Sequence, residues 1–254
     1  MQQLPIASVT EPVFAADWPA PKGVKTAIST RHGGVSQGVY AALNVGAHVG
    51  DAPEHVAQNR ATVQQAASVP LAYLNQTHST TVVTAEAALA ALLDADASVD
   101  RSRQAACAVM TADCLPVLLC DENATVVGAA HAGWRGLVNG VIENTIAAMQ
   151  ADSPLMAYLG PAIGPDAFEV GAEVREAFIA HDAAAAAAFT YIGDGKYLAD
   201  IYALARQRLQ AAGVSAVYGG EYLHGVAARR LFLLPPRWAN GSHGQCHLVG
   251  IGCV

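Results

Sequence analysis

The chain has 254 residues, of which 53% are hydrophobic and 14% are charged, and its formal net charge is −7. This length predicts one large domain or two small ones with a substantial core. The negative charge and the lack of a Lys/Arg cluster argue against a nucleic-acid partner. The sequence shows neither a basic, apolar leader nor a run of about 18 apolar residues, so we expect no membrane partner. Five cysteines, an odd number, indicate reduced thiols in a cytoplasm.

The N-terminal half begins with a strand and a helix. Val24–Thr30 alternates like a strand and ends at a loop with two glycines. Asp51 is predicted to cap a helix that runs to about Ser68, because a proline and a glutamate follow it at first-turn positions. Thr81–Thr84 is a candidate strand. The polar stretch 94–104 is predicted to be a surface loop.

Three apolar runs in the middle of the chain are rich in Val, Leu, Cys and Ala and show little alternation. They are Ala105–Met110, Leu115–Cys120 and Thr125–Ala130. This pattern is typical of strands that are covered on both faces. A helix with one apolar stripe is predicted to begin after Gly136 and to continue to Met149.

The last third of the chain is predicted to alternate between strands and helices. Leu155–Leu159 and Val214–Tyr218 are predicted strands, and helices are expected around Gly171–Ala188 and Asp200–Ala212. No repeat and no linker divides the chain. The pattern therefore predicts a single domain with interleaved strands and helices.

Three short segments carry the candidate chemistry. Cys114 follows Asp113 in a turn between two of the apolar runs, His131 follows the third run, and His78 follows a short apolar segment. Thiolate and imidazole favour zinc, and three protein ligands leave a fourth position open for water or substrate. The spacing of these three residues does not by itself establish a metal site. It matches no zinc finger, and histidines and cysteines in apolar segments more often pack in the core than bind a metal.

The residues around these three positions resemble the bacterial laccase-domain family. The runs that carry the resemblance are Thr111-Ala-Asp-Cys-Leu-Pro116 and His131-Ala-Gly-Trp-Arg-Gly136, together with His78. Further similar segments follow one another in order over about residues 24–222. The family was long labelled multicopper polyphenol oxidase and was later recognised as purine nucleoside phosphorylase-like.

The resemblance implies a fold, a metal and an activity. The fold would be α+β, a single domain in which mixed β-sheets pack as a central core with flanking helices. Zinc would be held by His78, Cys114 and His131. The activity would be a transferase reaction, the phosphorolysis of adenosine, inosine and methylthioadenosine, with adenosine deamination, a hydrolase reaction, beside it. Copper is the alternative cofactor from the older label, but a multicopper oxidase needs many paired histidines, and only two here look ligand-like.

Further residues are candidates for catalysis and substrate binding. Arg31, Arg60 and Arg135 could hold phosphate bidentately, and the alternative for each is a surface ion pair. Gln76 could contact the base or brace its loop. The candidate catalytic residues are Cys114, His131 and Asp113. Asp113 could orient a histidine ligand or merely form the turn. The expected partners are a small nucleoside and phosphate.

Two other functions remain open at this point. A cysteine hydrolase using Cys114 and His131, for which editing of peptidoglycan precursors would be a fitting role, would keep its activity after chelation. A non-catalytic module with structural zinc would have a closed site with four ligands.

The chain departs from the family after about Tyr222, so residues 223–254 form an atypical tail. Codons that would encode Leu233–Trp238 can spell Ser-Tyr-Arg-Arg when read one base over, which resembles the usual family tail. We therefore hypothesise that a frameshift produced this tail.

Overall fold

The computed structural model describes residues 11–220 and the backbone of residues 247–253. The tail hypothesis therefore falls largely outside the described residues, since 223–246 and 254 are not among them. Within these ranges no helix is both long and apolar enough to cross a membrane.

The described residues form an α+β fold with two large sheets, a small sheet and flanking helices, as expected. The helices are α1 (Pro53–Ala67), α2 (Ala85–Ala90), α3 (Trp134–Asn139), α4 (Val141–Met149), α5 (Ala172–His181) and α6 (Ile201–Ala211), with 3-10 turns at Gly38–Tyr40 and Ala183–Ala188. The strands are β1 (Val13–Phe14), β2 (Val24–Ser29), β3 (Leu71–Ala72), β4 (Val82–Thr84), β5 (Ala97–Asp100), β6 (Ala106–Thr111), β7 (Leu115–Asp121), β8 (Val127–Ala132), β9 (Leu155–Leu159), β10 (Glu169–Gly171), β11 (Phe189–Gly193), β12 (Lys196–Ala199), β13 (Ala216–Gly219) and β14 (His247–Cys253).

Both large sheets mix parallel and antiparallel pairs. The six-stranded sheet has the order β13-β9-β7-β8-β5-β4, and the five-stranded sheet has the order β1-β2-β14-β6-β3. Parallel pairing occurs at β13–β9, β4–β5 and β3–β6. A third sheet, β10-β12-β11, lies beside the helices of the last third of the chain.

The core consists of three apolar layers, one between α1 and the five-stranded sheet, one between the two sheets and one between the six-stranded sheet and α3 to α6. Ile28 and Val109 of the five-stranded sheet pack with Leu118 and Tyr158 of the six-stranded sheet. The other face of the six-stranded sheet packs against α3 to α6, and the outer face of the five-stranded sheet packs near α1 through Val63. Because both sheets are covered on both faces, β6, β7 and β8 are fully buried, as the unbroken apolar runs predicted.

Several local predictions were wrong, each for a physical reason. Asp51 does not cap α1; its carboxylate instead accepts hydrogen bonds from Ser36 Oγ at 2.6 Å and Asn44 Nδ2 at 2.9 Å. The helix predicted after Gly136 begins at Trp134 and is divided at Gly140, whose φ of 100° ends one helix and precedes the next.

The predicted surface loop 94–104 contains a buried strand, β5. Its residues alternate between apolar and polar, and Ser98 and Asp100 are nearly inaccessible to solvent. The polar residues suggested exposure, whereas both faces of this strand are covered by the core.

Tyr202 supports the loop 160–164, which lies behind the Cys114 turn. Its hydroxyl accepts the Ala162 N–H at 2.7 Å and donates to the Gly160 carbonyl at 3.1 Å, while the Ile163 N–H donates to the Asp113 carbonyl at 2.9 Å. Tyr202→Phe removes the hydroxyl that pairs with the Ala162 N–H and the Gly160 carbonyl. Because these two buried groups are left unpaired, we expect the free energy of unfolding to fall by about 1–3 kcal/mol. Denaturant unfolding measures this, with Tyr191→Phe, at an exposed ring, as the matched control. Equal stability of the two variants would contradict the bracing role.

Candidate metal centre

The candidate site lies at one edge of the two packed sheets. His131, the penultimate residue of β8, lies there and pairs in register with Pro116 near the start of β7. Cys114 lies in the turn by which the chain passes from β6 in one sheet to β7 in the other. His78 lies in the loop that precedes β4. The topology thus gathers residues from three separate segments at one place.

His78, Cys114 and His131 form a cluster with metal-binding geometry. Their ligand atoms all lie within 4.8 Å of one another. Cys114 Sγ is 3.8 Å from His78 Nε2. Tetrahedral zinc with its usual bond lengths places sulfur and nitrogen ligands about 3.6 Å apart. The donor types and the distance between Cys114 and His78 therefore fit a metal ion, which would draw the three donor atoms together.

The cluster is open to solvent on one side. His131 is buried, Cys114 is half-buried and His78 is exposed. Among the described residues no fourth His, Cys, Asp or Glu joins the group. Three protein ligands at a surface opening are typical of a metal centre that admits water or substrate.

A carboxylate that the sequence interpretation did not single out, that of Asp96, contacts His131. Its Oδ1 lies 2.8 Å from His131 Nδ1, and its side chain is fully buried. The same carboxylate accepts the N–H groups of residues 77–79, at 3.1, 3.0 and 2.6 Å in chain order. Because Nδ1 faces this carboxylate, Nε2 of His131 is the nitrogen left for the cluster.

Hydrogen bonds and charge shift the pKa values of this group strongly. Burial raises the pKa of Cys114, but hydrogen bonds with His131 and His78 outweigh it and lower the pKa to about 6. Burial lowers the pKa of His131, but hydrogen bonds with Asp96 and Cys114 raise it to about 9. The thiolate that results is the form of cysteine that both binds metals and acts as a nucleophile.

Gly133 gives the ligands room to approach one another. A Cβ atom at this position would lie 2.9 Å from Cys114 Sγ and 3.0 Å from His78 Cδ2. Its φ of −59° and ψ of 155° suit any residue, so glycine is required here for space and not for conformation. Gly136, one turn further along α3, brings that helix against the carbonyl of Ser79, since its Cβ would lie 3.1 Å from that oxygen.

Two of the candidate phosphate ligands hold backbone groups. Arg31 donates to the Ala41 carbonyl from Nε at 3.2 Å and from Nη2 at 2.7 Å. Arg60 donates from Nε to the Val45 carbonyl at 2.8 Å, and its guanidinium stacks on the ring of Tyr73 at 4.1 Å. These contacts give both arginines a structural role in ordering the segment that follows β2.

Of the remaining candidates, Gln76 is hydrogen-bonded to a neighbouring strand, whereas Arg135 and Asp113 are exposed to solvent. The side-chain amide of Gln76 pairs with the backbone of Met110, accepting its N–H and donating to its carbonyl, both at 2.7 Å. Arg135 is exposed, two residues after Gly133, and stacks on Trp134 at 4.5 Å. Asp113 has an exposed side chain beside Cys114, while the carboxylate against His131 belongs to Asp96. Asp96 was missed because it falls in the stretch predicted to be a loop.

The comparisons with known proteins agree with this fold. The family model described as multi-copper polyphenol oxidoreductase laccase matches residues 25–232, and the chain belongs to this family. A crystal structure of the Neisseria meningitidis protein NMB0706 has a TM-score of 0.90 and 54% sequence identity, covering 96% of this chain and 99% of that one. That of YlmD from Geobacillus stearothermophilus has a TM-score of 0.83 at 25% identity, covering 99% and 98%.

Relatives with similar sequences carry the name of an enzyme. The chain is 54% identical over 213 residues to the protein named purine nucleoside phosphorylase YfiH of Escherichia coli, covering 82% of this chain and 87% of that protein. It is 50% identical over 208 residues to the purine nucleoside phosphorylase PA4543 of Pseudomonas aeruginosa, covering 81% and 85%.

Proposed function

We propose that this protein is a zinc-dependent purine nucleoside phosphorylase that acts on adenosine, inosine and methylthioadenosine, with adenosine deamination as a second activity. The observation that carries the proposal is the open cluster of His78, Cys114 and His131, in a chain 54% identical to a protein named for this reaction. Zinc rather than copper is proposed because a multicopper oxidase needs many paired histidines, whereas the residues that the structure describes contain a single His-Cys-His group.

The reaction exchanges one bond at the ribose for another. A phosphate oxygen forms a bond to C1′ as the bond from C1′ to the purine nitrogen breaks, and the purine leaves with the electron pair and takes up a proton. The products are free base and ribose 1-phosphate. Negative charge therefore gathers on the departing base, and a site that stabilises this charge accelerates the reaction.

The residues of the chain have separate tasks in this proposal. Bound zinc would supply a Lewis acid at the opening of the cluster. Asp96 fixes the ring of His131 with Nε2 towards the cluster. Arg135 is the first proposed phosphate contact, because it is exposed and follows by two residues Gly133, which lies against Cys114 and His78. Arg31 and Arg60 hold backbone carbonyls and are proposed as further phosphate contacts.

An assay with and without phosphate tests the function. Purified protein loaded with zinc is expected to release hypoxanthine from inosine only when phosphate is present, and to form inosine from adenosine without phosphate. Chelation with dialysis should reduce both rates, and zinc should restore them. Turnover that persists after complete metal loss would rule out the zinc mechanism, and base release independent of phosphate would rule out phosphorolysis.

A cysteine hydrolase is the second candidate, and one observation favours it. Cys114, His131 and Asp96 have the residue types and the order of contacts of a nucleophile, a base and an orienting carboxylate. This candidate, in which peptidoglycan-precursor editing would be one role, requires hydrolysis that survives chelation and is lost on alkylation of Cys114. The phosphate-dependent assay separates it from the phosphorylase.

We also propose that part of the tail 223–254 is translated in a shifted reading frame. The family match ends at Phe232, and the out-of-frame spelling of the family tail begins at Leu233. Sequencing the gene across codons 218–240 should show that adding or removing a single base brings the family-like tail into the reading frame. A shifted frame without a family-like tail would contradict the proposal.

A further inference from the structure

One buried carboxylate contacts both segments that carry the histidines of the cluster. Oδ1 of Asp96 lies 2.8 Å from His131 Nδ1 and accepts the backbone N–H of His78 at 3.0 Å. Oδ2 accepts the N–H of Ser79 at 2.6 Å and its hydroxyl at 2.8 Å. The backbone of Asp96 adds a further contact, because its carbonyl accepts the His131 N–H at 2.7 Å.

The loop that carries His78 depends on these contacts for its shape. His78 has a φ of 60°, a left-handed conformation that costs energy for a residue other than glycine. Three successive N–H groups of the loop, from Thr77 to Ser79, converge on the carboxylate. Such converging N–H groups form a concave site for an anion, so the charge of Asp96 holds the loop in this conformation.

We propose that Asp96 is the positioning residue of the metal centre and sets both histidine ligands before the metal binds. It would fix the ring of His131 directly and the position of His78 through the backbone. This inference rests on metal binding in the proposed function but is independent of the substrate.

Asparagine cannot replace Asp96, because both carboxylate oxygens face hydrogen-bond donors. If the amide oxygen of Asn faced His131 and His78, the NH₂ group would face the N–H and hydroxyl of Ser79. The reverse orientation would place the NH₂ group against His131 Nδ1 and the His78 N–H. Either orientation sets donors against donors, so Asp96→Asn disturbs one histidine segment or the other.

The test measures metal affinity separately from turnover. We expect Asp96→Asn to weaken Zn²⁺ binding, measured by competition with a chromophoric chelator, by about 10–100-fold. Co²⁺ provides a spectroscopic readout, since its visible d–d bands report ligand geometry and should shift in this variant.

Asp100, the last residue of β5, offers a matched control for Asp96, which immediately precedes that strand. It is also buried, and it accepts hydrogen bonds from Ser102 Oγ at 2.7 Å and the Arg103 N–H at 2.9 Å, beyond the other end of β5. Asp100→Asn should lower stability while leaving Zn²⁺ affinity and the Co²⁺ spectrum unchanged. If Asp96→Asn does not fold, Ser79→Ala removes one donor to Oδ2 and should weaken Zn²⁺ binding a few-fold.

Three outcomes would overturn the inference: unchanged Zn²⁺ affinity in folded Asp96→Asn, unchanged affinity in Ser79→Ala where Asp96→Asn does not fold, or an equal loss in Asp100→Asn. A wild-type protein that binds Zn²⁺ through the cluster but does not cleave nucleosides would refute the phosphorylase function and leave this inference standing.

Discussion

Replacing Cys114 with alanine is expected to remove bound zinc and to lower phosphorolysis of inosine by at least about 100-fold. The loss should exceed the 10–100-fold typical of a residue outside the metal ligands, because Cys114 supplies the one anionic donor of the cluster. Metal analysis of the purified variant and the rate of hypoxanthine release measure the two effects. Both should fall together if the metal is part of the catalytic centre.

Cys120→Ala is the matched control for this substitution. Cys120 is fully buried in the same strand that begins after Cys114, but it lies at the strand's other end. Its loss should cost stability by about 1 kcal/mol and leave the zinc content unchanged. A Cys114→Ala protein that retains a full equivalent of zinc would show that the thiolate is not a ligand.

Gly133→Ala is expected to weaken Zn²⁺ binding by about tenfold or more, a loss in the range seen when groups outside the metal ligands are disturbed. The new methyl group would lie 2.9 Å from Cys114 Sγ and 3.0 Å from His78 Cδ2, so the ligands must move apart or the helix start must shift. The backbone conformation at this position suits alanine, so strain in φ and ψ does not contribute. Chelator competition gives the affinity, and the phosphorolysis rate should fall with it.

Gly128→Ala is the matched control for Gly133→Ala, because its added methyl group crowds core side chains and not the cluster. This glycine lies in β8 upstream of His131, and its Cβ would meet Thr145 Cγ2 at 3.1 Å and Met149 Sδ at 3.3 Å, in the core. The variant should unfold more easily and still bind Zn²⁺ normally. Normal affinity in Gly133→Ala would indicate that the cluster is looser than its distances suggest.

The sequence revealed the buried strands and the three cluster residues but not what holds them. Unbroken apolar runs predicted β6 to β8 because both faces of each strand are covered. His78, Cys114 and His131 stood out through the resemblance to a family. Asp96 did not, because carboxylates are rarely buried and its alternating polar neighbours suggested a surface loop. Only the tertiary structure shows that three N–H groups and an imidazole surround it.

The arginines illustrate a second limit of sequence reasoning. A guanidinium can donate to a backbone carbonyl as well as to a phosphate, so residue type alone does not predict which of the two it contacts in the folded chain. Arg31 and Arg60 bind carbonyls of residues 10 and 15 positions away, respectively, in the segment after β2. The helix division at Gly140 was missed for a related reason, since the apolar stripe continues across a glycine that breaks the helix.

The place of Cys114, on the turn that joins the two sheets, has a consequence for the lifetime of the protein. A metal bound by Cys114, His131 and His78 would crosslink the edges of both sheets. Cys114 lies 36 residues after His78 and 17 residues before His131, so the crosslink joins segments that are distant in the chain. Ions that bind only the folded chain reduce the population of opened molecules by mass action. A supply of the metal would then slow the proteolysis of this protein even when no substrate is bound.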